Sequence, residues 1–376
     1  MSLKGLRFTL EIDGQEPDTF AVANFRLIQN QSYPFVMSVD VASDSFMQTA
    51  GMLLEKKATL TIWQGVIPLR YVTGVVAGFG MQENNGWQMR YHLRIEPPLW
   101  RCGLRQNFRI FQQQDIRTVS ATLLNENGVT EWTPLFYEDH PAREFCVQYG
   151  ESDLAFLARL WAEEGIFFFE RFTLTRHPQK MLNREWQVVQ SILSGSQPQA
   201  LHGSQGKGTT LGNQLEVIPA DRTWRPRLQN KPKVDGPQSA IVTGPAGEEI
   251  FCDEHGRVRV KFHWDRYHGM TEASSCWVRV SQAWAGPGFG NLAIPRVGQE
   301  VIVDFLNGDP DQPIIMGRTY HEDNRSPGDL PGTKTQMTIR SKTYKGSGFN
   351  ELRFEDATSN GYPQKYQKKI SLGKYL

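Results

Sequence analysis

The chain has 376 residues, with 41 Lys+Arg against 40 Asp+Glu for a formal net charge of +1, and it is 39% hydrophobic and 11% aromatic. That composition excludes disorder as the main state, since disordered chains combine few aromatics with a large net charge, and near-neutrality argues against a dedicated nucleic-acid binder, whose footprint is a basic excess. No run approaches the ~20 apolar residues of a membrane-spanning helix, and 34 Gly with 21 Pro favour many short elements over a few long helices.

The N-terminus, Met1 to Phe8, enters an alternating pattern at once and lacks the apolar stretch of a secretory signal. Synthesis in the cytoplasm, with any export by another route, is therefore expected. Leu6 to Ile12 alternates with period two and stops at Asp13-Gly14, a hairpin signal. Ala58 to Trp63 repeats the pattern and stops at Gln64-Gly65, Val72 to Phe79 leads to Asn85-Gly86, and Trp87 to Ile95 ends at Pro97-Pro98. Short strands separated by turns predict an antiparallel barrel or sandwich.

Two helices interrupt this pattern. Asp115 caps one that carries Ile116, Val119, Leu123 and Leu124 and is ended by Gly128. Ser152 caps the second, with Leu154, Leu157, Leu160 and Trp161 on one face and Gly165 as its stop. A single apolar stripe of this kind is expected to dock on a sheet, and Ile166 to Phe169 reads as a buried strand that follows at once. From Ser191 to Gln238 there is little regular pattern. Gly203 to Thr210 fails the phosphate-loop spacing and reads as a flexible loop, and Trp224 to Pro237 reads as an extended linker. From Ala240 a compact β module offers five strands: Ala240–Thr243, Arg257–Phe262, Cys276–Ser281, Glu300–Leu306 and Ile314–Thr319. Five strands without a helix of note match a small OB-type barrel.

Residue chemistry singles out no reaction centre. The four cysteines, Cys102, Cys146, Cys252 and Cys276, are widely spaced and suit reduced thiols. Cys252, His255, His263, His268 and Cys276 form the densest group of potential ligands, but one Cys-x2-His and wide gaps do not give a zinc spacing. Glu163-Glu164 is either an acid–base pair or the solvated end of a helix, and no partnering carboxylate spacing supports the first. Gly346-Ser347-Gly348 lacks the nucleophile elbow, and no carboxylate pair across a cleft can be singled out for glycoside hydrolysis. No catalytic, cofactor or metal residue is predicted. Trp264, Trp277, Trp284 and Phe289 could stack single-stranded bases. Residues 240–320, however, hold seven Lys/Arg against ten Asp/Glu, a net of −3, so these aromatics read as core or protein–protein contacts, and no nucleic-acid partner is expected.

Longer motifs carry a resemblance. Ile241-Val242-Thr243-Gly244-Pro245 leads into Asp253-Glu254-His255-Gly256-Arg257-Val258-Arg259-Val260-Lys261-Phe262-His263-Trp264-Asp265. Then come Trp277-Val278-Arg279-Val280-Ser281, Ala283-Trp284-Ala285-Gly286, Ile294-Pro295-Arg296-Val297-Gly298-Gln299-Glu300-Val301 and Phe305-Leu306-Asn307-Gly308-Asp309-Pro310-Asp311-Gln312-Pro313. Over about residues 240–356 this resembles the VgrG family, the spike proteins of bacterial type VI secretion systems, and the part through Phe145 to Phe169 resembles that family's hub, related to the baseplate hub of contractile phage tails.

The resemblance implies a mainly β fold with a few helices. Residues 1–223 would form a phage tail hub-like β-barrel domain, 224–238 a linker, 239–320 a five-stranded OB-fold barrel, and 321–376 an extended segment that begins the needle region and ends in an unmatched tail. It implies a non-enzymatic homotrimer, seated on the Hcp tube, tipped by a PAAR protein, held by baseplate components, carrying effectors and penetrating a target envelope mechanically. Such a protein would be cytoplasmic before assembly and secreted by contraction without a signal peptide. The alternatives are a hydrolase or toxin carried on a spike scaffold, or a single-strand-binding OB protein. Two departures stand out. The chain passes from Phe169-Glu170 directly to Arg171, whereas the family's counterpart of Thr175-Arg176-His177-Pro178 to Asn183-Arg184-Glu185-Trp186 lies much further on, so the second hub barrel reads as abbreviated around 170–171. After Asn350 to Asp356, residues 357–376 carry four Lys and no acid and do not resemble a needle. They are either a truncated or frame-shifted end or a solvated basic tail.

Overall fold

In a computed structural model, residues 5–133, 138–167, 170–173, 175, 178–203, 208–357 and 371–375 are described. The strands are β1 (Leu6–Ile12), β2 (Ala21–Asn30), β3 (Val36–Ser43), then the short helix α1 (Ala50–Leu53), β4 (Lys57–Gln64), β5 (Ile67–Asn84) and β6 (Met89–Glu96). They pair antiparallel in the order β1-β4-β5-β6-β3-β2, and β2 returns to β1 at Ala21 opposite Thr9, so the six strands close on themselves. The alternation of β1 places Leu6, Phe8, Leu10 and Ile12 inside, where they meet Phe25, Leu60, Tyr91 and Leu93. Burying one face of a period-two strand forces this closure, because a barrel leaves no apolar face in water.

Gln64-Gly65 and Asn85-Gly86 turn hairpins as expected. Asn85 Oδ1 accepts from the backbone N–H of Trp87 and of Gln88, and Gly86 supplies a φ of 83°. Asp13-Gly14 does not turn a tight hairpin: β1 pairs along its whole length with β4 and meets β2 at one residue pair.

Next come β7 (Gln106–Gln114), α2 (Ile116–Glu126), β8 (Arg143–Ser152) and α3 (Asp153–Glu163). Both helix starts follow from their caps. Asp115 accepts from Thr118 N–H at 2.7 Å and Ser152 from Ala155 N–H at 3.1 Å. The expected docking of α3 on a sheet is corrected. It packs on the 3-10 turn Pro98–Gly103 and on α2, with Trp161 Nε1–H donating to Ser120 Oγ at 2.9 Å. A helix stripe is equally well covered by another helix.

Ile166 and Phe167 form no strand, a second correction, while Phe168 and Phe169 lie outside the described residues. The stretch from 191 read as pattern-poor holds most of two strands. After β9 (Glu170–Thr173), β10 (Glu185–Ser196) pairs antiparallel with β2 and with β11 (Thr210–Pro219), extending the barrel sheet. β11 is exposed on both faces over 212–216, and the bulge between Val188 and Gln190 breaks the period of β10, so neither strand shows the continuous alternation that a sequence reading needs. Of the motif Thr175 to Pro178, Arg176 and His177 lie outside the described residues, as do 204–207 of the loop at 203–210.

The last part contains β12 (Gln238–Thr243), β13 (Arg259–Phe262), β14 (Arg279–Val280), β15 (Ala285–Gly286), β16 (Phe289–Gly290), β17 (Glu300–Phe305) and β18 (Pro313–Arg318). Five of them order as β13-β12-β17-β18-β14, and a bridge between Val258 and Val278 joins the two ends. This is the expected five-stranded barrel, with Val258, Val260 and Phe262 inside. Beyond it, β19 (Gln336–Arg340), β20 (Phe349–Glu355) and β21 (Ser371–Tyr375) make a three-stranded sheet. Residues 358–370 and 376 of the tail lie outside the described residues.

The chain packs as two units: residues 1–107, 115–141 and 151–230 in the first, and 108–114, 142–150 and 231–376 in the second. The paired strands β7 and β8 therefore lend most of their residues to the second unit, where Ile110, Phe145 and Val147 share a core with Val242, Val260 and Val303. Asp311 accepts from Val147 N–H at 2.7 Å and pairs with Lys231 at 2.5 Å, fastening β8 to the OB barrel. The sequence reading keeps these two segments within 1–223.

Candidate functional site

The residues considered as ligands have structural partners instead. Asp265 is buried, and its Oδ2 stands 2.9 Å from His268 Nδ1 and 3.4 Å from Lys261 Nζ. Burial pushes this carboxyl up. The His268 hydrogen bond, the Tyr267 N–H and the His268 and Lys261 charges outweigh it and hold the carboxyl below its ordinary value. The trio clasps the turn after β13. Cys276 has its thiol pushed up to about 12, first by burial and then by the Glu144 carboxylate, so it behaves as a small apolar side chain. Cys252, His255 and His263 are exposed. Among the described residues, no three His, Cys, Asp or Glu side chains converge as a metal-binding set.

Glu163 and Glu164 diverge into separate ion pairs. Glu163 meets Arg159 at 3.3 Å, and Glu164 meets His140 at 2.9 Å. Arg159, which the sequence reading passes over, is 1% exposed and also binds Glu151 at 2.6 Å. A buried guanidinium between two carboxylates orients α3 rather than activating either acid.

Gly346-Ser347-Gly348 lies in the turn between β19 and β20. The same turn carries a charged clasp that no sequence motif announces. Tyr344 Oη donates to Glu248 at 2.6 Å and Lys345 Nζ to the same carboxylate at 2.9 Å. Glu249 accepts from Lys342 Nζ at 3.1 Å, from Lys345 N–H at 3.0 Å and from Arg296 at 2.9 Å. These hydrogen bonds hold both carboxyls below the usual range. The clasp ties the sheet that follows the OB barrel to the barrel's own turn at 244–249.

The four aromatics divide. Trp264 stacks on Phe262 with centroids 4.9 Å apart, and Trp277 lies 5.0 Å from Phe251 beneath the Arg259 guanidinium. Trp284 and Phe289 face outward, 61% and 57% exposed, and touch edge-to-face across the β15–β16 hairpin. Met337 and Ile339, alternate residues of β19, are also exposed, as are Val66, Ile67, Leu69 and Tyr71 at the β4–β5 hairpin. A cavity of about 920 Å³ in the first unit is walled by apolar residues such as Leu99, Leu124, Trp132 and Trp161 together with the charged Lys57, Arg101, Glu131 and Arg227.

Comparison with known proteins accords with this picture. Residues 31–171 match the phage tail baseplate hub family, and residues 251–320 match the type VI secretion system/phage-baseplate injector OB domain. The type VI secretion system spike protein VgrG3 of Vibrio cholerae is 34% identical over 93% of this chain and 48% of that protein. The actin cross-linking toxin VgrG1 of Vibrio cholerae is likewise 34% identical, over 93% of this chain and 45% of its own length. The chain spans about half the length of these relatives. The match to VgrG3 runs over 491 positions, whereas 93% of 376 residues is about 350, so about 140 positions (491 less 350) of the relative have no counterpart inside the matched part. The hub match stops at residue 171, beside the junction read at 170–171. Among solved structures, the E. coli c3393 protein, a type VI component similar to the T4 tail proteins gp27 and gp5, superposes with a TM-score of 0.59 at 21% identity. That match covers 83% of this chain and all of that one, a likeness of fold. A hub region and an injector OB region stand in one order on one chain, and over nearly its whole length this chain is similar to the VgrG spike proteins.

Proposed function

We propose that this protein is a structural, non-enzymatic spike component of a type VI secretion system: a homotrimer that penetrates a target envelope mechanically and delivers effectors. The observation that carries the reading is the pairing of a hub barrel with an OB barrel, each with outward apolar residues, in a chain whose relatives are named as spike proteins. In this reading residues 1–223 supply the hub, 224–238 the connection and 239–320 the OB barrel, with 108–114 and 142–150 packed into the second unit. Hcp would lie beneath the hub, and a PAAR protein would cap the needle end. The protein would be cytoplasmic before assembly and leave by contraction.

Light scattering at micromolar concentration, with negative-stain imaging, tests the assembly. Three chains per basic assembly and a three-fold ring are expected, and a monomer with no ring overturns the reading. The relative named as an actin cross-linking toxin motivates a second reading, an effector activity carried by the chain. Actin cross-linking by the purified protein would establish it and displace the purely structural role.

A further inference from the structure

Strand β11 is the end of the barrel sheet. All ten of its residues, Thr210 to Pro219, pair with β10 on one side. On the other side, among the described residues, the Pro219 carbonyl accepts from Arg222 N–H at 3.0 Å, and no other backbone group of the strand has a partner. Residues 212–216 are also exposed to solvent, so the edge stands clear of the rest of the first unit. Natural edge strands are commonly blunted by Lys, interior Pro, a bulge or brevity. This one has ten residues, no Lys or Arg, no Pro before its last position and a single charge, Glu216. The bulge in the pair lies in β10, between Val188 and Gln190, and leaves β11 regular.

We propose that this edge is a self-association surface, and that its occupant is β11 of a second copy, added antiparallel about a two-fold axis. The outward N–H and C=O groups of an antiparallel strand belong to alternate residues. Two identical edges therefore pair only with residues of the same parity opposite each other, which places the axis on a residue. Centring on Leu215 sets residues 211–219 against their copies. Leu215, 41% exposed, then meets Leu215, Glu216 faces Gln214 and Val217 faces Asn213. The strand's only charge meets an amide that can donate to it, so the pairing avoids the like-charge contact that opposes strand association. Centring on Gln214 covers 210–218 and sets Glu216 against Gly212, which also avoids it. Short of Pro219, which has no N–H to donate, a second copy supplies backbone hydrogen-bond partners along the edge, the chemistry of strand addition.

This contact is two-fold and adds to the three-fold assembly proposed above, so each fails separately. Light scattering is expected to give an even number of chains for the unaltered protein, and Leu215→Lys, which sets two ammonium groups face to face at the axis, halves that mass while circular dichroism stays unchanged. A trimer that remains after Leu215→Lys speaks to the hub; a halved mass speaks to the edge. Cysteine trapping decides the matter if Leu215→Lys does not fold. In a Cys252→Ser background, which removes the exposed native thiol, Leu215→Cys or Gln214→Cys gives a disulfide-linked dimer under mild oxidation, whereas Asn213→Cys, which faces its own copy in neither register, does not. Trapping no stronger at 214 or 215 than at 213 overturns the proposal. So does an unchanged mass for a folded Leu215→Lys protein.

Discussion

Asp265 shows how a buried acid becomes structural. Its folded-state pKa lies below the ordinary value of 3.8, so the ionised form favours the fold. That contribution is complete above the unfolded-state value and is lost as pH falls through the lower folded-state value. Thermal midpoints measured from pH 6 down to pH 2.5 should therefore fall in acid, and Asp265→Asn should be less stable near neutrality but less sensitive to acid. A midpoint for Asp265→Asn that falls in parallel with the unaltered protein would show that other carboxylates govern the acid transition. Gly195 in β10 marks the opposite constraint, that of space. A Cβ there would come within 2.7 Å of the Phe8 ring and also collide with Phe25, which packs edge-to-face on Phe8 at 5.0 Å. Gly195→Ala is expected to cost about 1–3 kcal/mol, the usual range for overpacking a filled core, measurable by urea denaturation.

At the scale of elements, caps and ion pairs place α3. Ser152 satisfies the first turn, Arg159 sits between Glu151 and Glu163, and the apolar face meets a helix and a 3-10 turn. Ser152→Ala should cost about 1 kcal/mol in equilibrium unfolding, and Ser152→Asp should restore most of it. The clasp on Glu248 and Glu249 acts at the same scale: Lys342, Tyr344 and Lys345 fix the turn between β19 and β20 to the OB barrel.

For the whole molecule, outward apolar residues govern what the chain can join. Met337 and Ile339 point into solvent from β19, each more than half exposed. Ile339→Asp should lower the mass of the assembly in light scattering without changing the unfolding midpoint of the separated chain. An unaltered mass would place the contacts between copies elsewhere, at the β4–β5 hairpin or the edge of β11.

Sequence by itself determined the elements whose signal is local. Alternation fixed β1, β4 and β6 and the OB strands, because burial of one strand face demands period two in the residues themselves. Asp115 and Ser152 fixed two helix starts, because a cap is a contact three residues long. The family motifs at 251–320 were legible for the same reason: they are contiguous. Only the tertiary structure decided the rest. Strand β11 is exposed on both faces and β10 is interrupted by a bulge, so neither carries a continuous period-two signal and both depend on partners elsewhere in the chain. The place of residues 108–114 and 142–150 in the second unit depends on a core shared with residues more than 80 positions away. Glu163 and Glu164, adjacent in sequence, part company because successive residues on a helix point about 100° apart. The Glu164–His140 pair and the core shared by β8 and the OB strands are made by closing longer loops, and no short window of the sequence contains both partners.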